Sequence, residues 1–289
     1  MASAFRVVRY DAVPSTNSVV KEAIRAGEPE GLAISALRQT AGYGRQGRTW
    51  ESPYGGLYQS FLLRPTMPSD QLSTIALVAA LAVRDALIGF LDDVASGALS
   101  VADSSPRAIV GNPAQAIQVK WPNDVVWAHR MAESPQKICG ISSEAINGAL
   151  CVGIGTNVFV PADGMTLQGK NEPAYLSEFF FDGPLRVGKE GLSDGQRLLL
   201  EALSEKLTDC VSARYGQWCA TGFASCAQEY RSCSSLIGHA VDIVSQMGTH
   251  MAHGRVVDID ESGRLMLRDT AGVVCAVSSG EAHIHDIGE

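Results

Sequence analysis

The chain has no CxxC pair. Its seven cysteines, an odd number scattered among 289 residues from Cys139 to Cys275, suit neither a disulfide framework nor a zinc site. Free thiols in a reducing compartment follow, and a cytoplasmic protein is expected. Cys219, Cys226 and Cys233 recur every seven residues, but Gly222 interrupts them, so buried small apolar side chains explain them better than a metal. His250 and His253, and His283 and His285, also lack a third ligand type at suitable spacing, so no protein metal cage is expected. The opening residues MASAFRVVRYDAV hold no uninterrupted apolar core and no small-residue cleavage signal, which argues against secretion. The one candidate membrane span, residues 72–91, carries Arg84 and Asp85 near its middle. Those charges are costly in hydrocarbon, so a buried helix is the better reading and no membrane partner is expected. Positive charge is also scarce: the net charge is −8 with a pI near 5.3, which leaves no global basic patch for nucleic acid.

What is present suffices for a large core, with 46% hydrophobic residues and a length that allows a large domain plus a small one. Strands are expected over residues 5–10, 32–37, 57–63, 117–121, 125–127, 138–144 and 151–159. Ser15, Thr16 and Asn17 stand where capping residues would open a short helix over 19–26. Residues 96–114 are rich in Ser, Ala, Pro and Gly and read as a surface insertion. Residues 161–194 read as loop, with one helical turn near Tyr175. Leu199, Leu203, Leu207, Val211 and Tyr215 repeat every fourth residue and predict a long amphipathic helix over 196–215. After Cys233 the pattern becomes short strands, 240–244, 255–260, 265–268 and 273–277, parted by ESG and TAG turns. This predicts a domain over residues 1–233 and a small all-β module over 234–289.

Two segments carry chemistry. Gln39-Thr40-Ala41-Gly42-Tyr43-Gly44-Arg45-Gln46-Gly47-Arg48-Thr49-Trp50 combines three glycines with two arginines, a cradle for an anion. Lys120-Trp121-Pro122-Asn123-Asp124 adds a cation, an amide and a carboxylate. Gly42, Gly44 and Gly47 satisfy GxGxxG, but no helix is expected to open at Gly47, because Pro53 and Gly55-Gly56 follow closely. A dinucleotide fold is therefore set aside.

With Ser15-Thr16-Asn17, Lys137-Ile138-Cys139-Gly140-Ile141 and its following Glu144, and Gly153 to Asn157, these segments resemble the biotin protein ligase family, in the same order and through most of the chain. The resemblance implies an α+β fold: a class II synthetase-like mixed β-sheet flanked by helices, followed by a small C-terminal SH3-like β-barrel. It implies ATP, Mg²⁺ and biotin as reactants, biotinyl-5′-AMP as intermediate, and the biotin carboxyl carrier domain of a carboxylase as partner. The serine-threonine-asparagine element begins at Ser15, which leaves no room upstream for a helix-turn-helix, so DNA binding is not expected.

By the same resemblance Ser15, Thr16 and Gln39 address the ureido end of biotin, Asn17 also belongs to the biotin site, and Gly42, Tyr43, Gly44 and Gly140 line its pocket. Lys137 lies nearest the biotin carboxylate and the α-phosphate. Arg45, Arg48, Asn123 and Asp124 join it in catalysis, with Asp124 either holding Mg²⁺ or orienting the acceptor lysine. Arg45, Arg48, Trp50, Lys120, Asn123, Gly155 and Asn157 form the nucleotide side. One position departs: Tyr43 stands where the family usually has arginine, and it makes no bidentate charged contact. A lipoate or octanoate attachment enzyme is the sister reading, and a non-catalytic biotin- or nucleotide-binding regulator is the rival of another class.

Overall fold

A computed structural model describes residues 5–99, 112–128, 135–162, 173–179, 185–245 and 247–285. The insertion expected over 96–114 falls mostly outside them; within them Pro113–Ala116 is a short helix, α3. Strands β1 (Arg6–Val13), β2 (Leu32–Gln39), β3 (Gly56–Leu63), β4 (Ile117–Lys120), β5 (Asp124–Trp127), β6 (Gln136–Ile146) and β7 (Ala149–Asn157) form a seven-stranded sheet. Its order is β1-β2-β3-β7-β6-β5-β4, with only β1 and β2 parallel, so the sheet is mixed.

Side chains alternate across these strands, and the two faces have different cores. Leu32, Ile34, Leu62, Ala149 and Cys151 point to one face and pack on Val20 and Ile24 of helix α1 (Thr16–Arg25). Ala33, Leu57, Phe61, Leu63, Val152 and Ile154 point to the other. There they join a larger core with α2 (Ile75–Ala95) and α4 (Asp194–Thr221). Helix α4 opens on a capping box between Ser193 and Gln196, which sets its start two residues before the expected one.

The span Leu72–Ala95 is long and apolar enough to cross a membrane, yet 72% of its apolar window is buried in this fold. Its charges are matched: Arg84 donates to the Ile117 carbonyl, and Asp85 pairs with Arg214 at 2.7 Å.

After α5 (Ala227–Ser232) come β8 (Ala240–Val244), β9 (His250–Ile259), β10 (Leu265–Arg268), β11 (Val274–Val277) and β12 (Glu281–Ile284), an antiparallel sheet ordered β11-β10-β9-β8-β12. Among the described residues β11 and β12 are its two edges and do not pair, so the module is an open five-stranded sheet in place of the expected closed barrel. Val241, Ile243, Val256, Leu265 and Leu267 belong to the same continuous core as α2 and β4. At the junction, Val119 of β4 exchanges backbone bonds with Cys233 and Ser235, both 2.9 Å. Trp121 Nε1 donates to the Gly263 carbonyl at 3.0 Å, stitching the β9–β10 turn to the large sheet.

Candidate active site

The α1 face of the sheet is apolar at Leu62, Ala149 and Cys151. Farther along the same rows stand Ser60, Gly140, Ser142, Gly153 and Gly155, and Gly140 pairs with Gly155, Ser142 with Gly153. The missing side chains are needed. A Cβ at Gly153 would lie 2.1 Å from Asn17 Oδ1, one at Gly140 2.9 Å from the Trp50 ring and one at Gly155 2.6 Å from Trp50 Nε1. These glycines form the floor of a cavity of about 450 Å³.

Beside Ser142 and Gly153 the cavity wall is neutral and polar. The Thr16 amide and hydroxyl donate to Gln39 Oε1 at 2.8 and 3.1 Å, and Gln39 Nε2 donates to Ser52 Oγ at 2.8 Å. Ser60 Oγ lies 2.7 Å from both Thr16 Oγ1 and Asn17 Oδ1, while Asn17 Nδ2 donates to Ser142 Oγ at 3.1 Å. The helix-cap reading of Ser15, Thr16 and Asn17 therefore fails: no side chain caps α1. Thr16 and Asn17 are instead fixed as cavity wall.

Beyond Gly140 the wall turns cationic. Strand β6 carries an irregularity opposite Val125 and Val126, which accommodates one extra residue and brings Lys137 to the same face as Gly140. Lys137 Nζ lies 2.7 Å from Asp124 Oδ1 and 5.1 Å from the centre of a Trp50 ring. Lys120 and Asp124 are register partners across the β4–β5 hairpin, whose turn holds a cis Trp121-Pro122 bond. Lys120 is only 7% exposed, and burial holds its ammonium below the usual lysine pKa although Asp124 opposes this. Asn123 donates to the Ile141 carbonyl at 2.8 Å and accepts from Arg45 Nη1 at 2.8 Å. Burial likewise lowers the Arg45 pKa from its high ordinary value, with Asp124 and Glu281 opposing.

The glycine and arginine loop is a hairpin folded over this cavity. Gly44 N donates to Arg48 O at 2.8 Å and Trp50 N to Gly42 O at 3.0 Å, with Tyr43 bridged to Thr49. The turn needs left-handed backbone at Gln46 (φ 61°) and Gly47 (φ 74°), and a Cβ at Gly42 would lie 2.4 Å from Ser52 Oγ. No helix opens at Gly47, as the sequence indicated; Arg48 is extended. Three polar side chains of the hairpin reach three different elements. Tyr43 OH lies 3.2 Å from Glu144 Oε1 on β6, Arg45 binds Asn123, and Arg48 pairs with Glu281 of β12.

The structure thus brings Thr16, Asn17, Gln39, Tyr43, Gly44, Arg45, Arg48, Trp50, Lys120, Asn123, Asp124, Lys137, Gly140 and Gly155 around one cavity. Three expected site residues do not line it. Ser15 Oγ is buried with no hydrogen-bond partner among the described residues, Gly42 sits at the base of the hairpin, and Asn157 turns away to donate to the Lys137 carbonyl at 3.2 Å. Sequence reasoning passed over Ser142, Glu281 and His283, which do line it, and Ser60 and Lys21 just behind. Ser60 had a signal: it and Gln59 are the polar residues of an otherwise apolar strand.

A sequence model of the biotin/lipoate A/B protein ligase family matches residues 10–158, which include the hairpin, the β4–β5 turn and the glycine floor. The chain belongs to the biotin/lipoate A/B protein ligase family. Relatives in it include the biotin–[acetyl-CoA-carboxylase] ligases of Paracoccus denitrificans and Mycobacterium tuberculosis, each 27% identical. The first alignment covers 83% of this chain and 85% of that protein, the second 92% and 84%. The bifunctional ligase/repressor BirA of Bacillus spizizenii is 24% identical over 92% of this chain and 70% of its own length. The fold is also that of the biotin protein ligase from Aquifex aeolicus, solved with biotin and ATP. It superposes with a TM-score of 0.66 at 24% identity, covering 97% of this chain and 98% of that one. Among the described residues no group of three or more His, Cys, Asp or Glu side chains is placed to hold a metal.

Proposed function

We propose that this member of the family is a biotin protein ligase. It joins biotin to AMP at the expense of ATP and then passes the biotinyl group to a lysine of a carboxyl carrier domain. The observation that carries the reading is the division of one cavity. A neutral wall of Thr16, Asn17, Gln39 and Ser142 suits a polar uncharged ring, and it runs over a glycine floor into the cationic wall of Arg45, Arg48, Lys120 and Lys137. A biotin molecule has that polarity, with a ureido group at one end and a carboxylate at the other.

In the first step a biotin carboxylate oxygen attacks the α-phosphorus of ATP, a new O–P bond forms, and pyrophosphate leaves with the electrons of the broken P–O bond. Two anions must meet, and Lys137, Arg45, Arg48 and Lys120 lower that repulsion and the charge developing on the leaving group. Asp124 holds Lys137 in the cavity and Asn123 holds Arg45. Both cavity carboxylates, Asp124 and Glu281, are already paired with cations. Mg²⁺ brought in with the nucleotide would offset phosphate charge, and Asp124, beside Lys137 on the cationic wall, is the carboxylate that would hold it. In the second step the acceptor amine attacks the acyl carbon and AMP departs. Trp50 and the hairpin shield the mixed anhydride from water in the interval. Residues 234–289 are read as a small SH3-like module whose β12 edge closes the phosphate end, and residues 1–233 as the catalytic domain.

Exchange of labelled pyrophosphate into ATP, run with biotin, lipoate and octanoate in parallel, tests this. Biotin-dependent exchange is expected, falling by about 10²- to 10³-fold in Lys137→Ala. Exchange with lipoate or octanoate alone would make the chain an enzyme of the sister class, and binding without exchange a regulator.

A further inference from the structure

Lys21 belongs to none of the motifs, and it faces the one hairpin residue that departs from them. It lies one helical turn beyond Asn17, on the same side of α1. Glu144 lies one same-face step beyond Ser142 on β6. The Asn17–Ser142 contact in the cavity wall is thus continued outward by a second rung, Lys21 Nζ to Glu144 Oε2 at 3.0 Å. Tyr43 closes that rung from above. Its hydroxyl lies 3.2 Å from Glu144 Oε1, and its ring centre is 4.8 Å from Lys21 Nζ, within cation–π range.

This is not an ordinary surface ion pair. The Lys21 side chain is 18% exposed against 38% for Glu144, and the Tyr43 ring lies over the ammonium. Burial alone would lower the lysine pKa, but the contacts with Tyr43 and Glu144 outweigh it and the ammonium is held more firmly charged. Tyr43 is, moreover, the only aromatic ring between Gly42 and Trp50, in a hairpin whose tip, Arg45–Gly47, has no fully buried residue.

We propose that Lys21 and Glu144 are positioning residues that clamp Tyr43 and hold the hairpin over the cavity before any ligand arrives. Tyr43, itself part of the cavity wall, thereby acts as a latch held from outside the pocket by Lys21 and Glu144. The lid is formed in advance, and ligands meet a wall that is already in place.

Limited trypsin digestion of the full-length, ligand-free chain, with cleavage after Arg45 and Arg48 followed by mass spectrometry, tests the clamp. Lys21→Met and Glu144→Gln should each speed cleavage there by about three- to tenfold, the size expected for one cation–π or charged hydrogen bond. Cleavage after Arg197 and Lys206 in α4 reports general unfolding and should not change. In a Tyr43→Ala background Lys21→Met should add nothing, because the clamp is already open. Wild-type cleavage rates in both single variants, or fully multiplicative effects of Lys21→Met and Tyr43→Ala, would overturn the proposal. So would a rise at α4 sites equal to that at the hairpin in both Lys21→Met and the size-conserving Glu144→Gln. A second readout, faster release of biotinyl-AMP from Lys21→Met, rests on the ligase reading. If wild-type protein shows no exchange with biotin, that reading fails while the digestion still decides the clamp.

Discussion

Lys120 shows how a single side chain can be prepared for a ligand it has not yet met. Its ammonium is buried in a cavity wall and sits below its ordinary pKa of 10.5 because burial disfavours the charge. A phosphate beside it would restore that charge, so nucleotide binding should take up a proton, increasingly as pH rises from neutral toward the lowered value. Calorimetry in buffers of different ionisation heat measures this, and equal heats in all buffers would contradict it. The same shift has a stability consequence. Between the lowered and the ordinary pKa the unfolded chain holds the proton that the fold has released, so the ligand-free protein gains stability as pH rises through that window. Lys120, Lys137, Arg45 and Asn123 were legible because their motifs name them. Ser142 and Lys21 were not, since each reads alone as an ordinary strand or helix residue, and only strand register and helix phase bring Ser142 to the cavity and Lys21 to the back of its wall. Asn157 shows the converse: it sits in a motif, yet the structure uses it to hold the Lys137 backbone.

At the scale of elements, the hairpin of residues 42–50 is where sequence and mechanism meet most closely. Its glycines have separate duties: Gly42 avoids Ser52, Gly47 takes a left-handed turn, and Gly44 only leaves the wall open. Arg45 fixes the hairpin to the β4–β5 turn through Asn123. Arg45→Gly should therefore leave adenylate formation measurable but raise escape of the intermediate by about tenfold or more, given the worth of a charge-assisted bond. Released biotinyl-AMP, trapped by its reaction with added hydroxylamine, measures it; retention at the wild-type rate would remove Arg45 from the latch. The large sheet was readable because its strands are short apolar runs. The small sheet was readable only in part: β12 and the first half of β9 are rich in histidine and charge, and they become strands because β8 supplies hydrogen-bond partners on both sides. The capping box at Ser193 and Gln196 is visible in the letters, yet the apolar repeat alone starts the helix at Gln196 and leaves Ser193 in the expected loop.

Taken whole, the molecule holds its small module by a shared core and not by a tether. Gly263, at the β9–β10 turn, accepts from Trp121 and approaches α2 so closely that a Cβ would lie 2.6 Å from Leu77 Cδ1, at a φ of 76°. Gly263→Ala should cost about 1–3 kcal/mol from the positive φ and the overpacking, and it should lower the stability of both units in one urea transition. Two separate transitions, with only the smaller one shifted, would contradict the shared core. That union also carries Glu281 and His283 to the cationic end of the cavity, so its wall is completed by residues far away in sequence, and no local pattern could have announced this. The most direct measurement of the central claim is complete transfer. The protein is incubated with biotin, ATP, Mg²⁺ and an isolated biotin carboxyl carrier domain, and the carrier is weighed by mass spectrometry. Gain of one biotinyl group on one lysine, dependent on ATP and abolished when that lysine is replaced by arginine, is the predicted result. A carrier of unchanged mass, while a known biotin ligase labels it fully in a parallel reaction, would contradict the account.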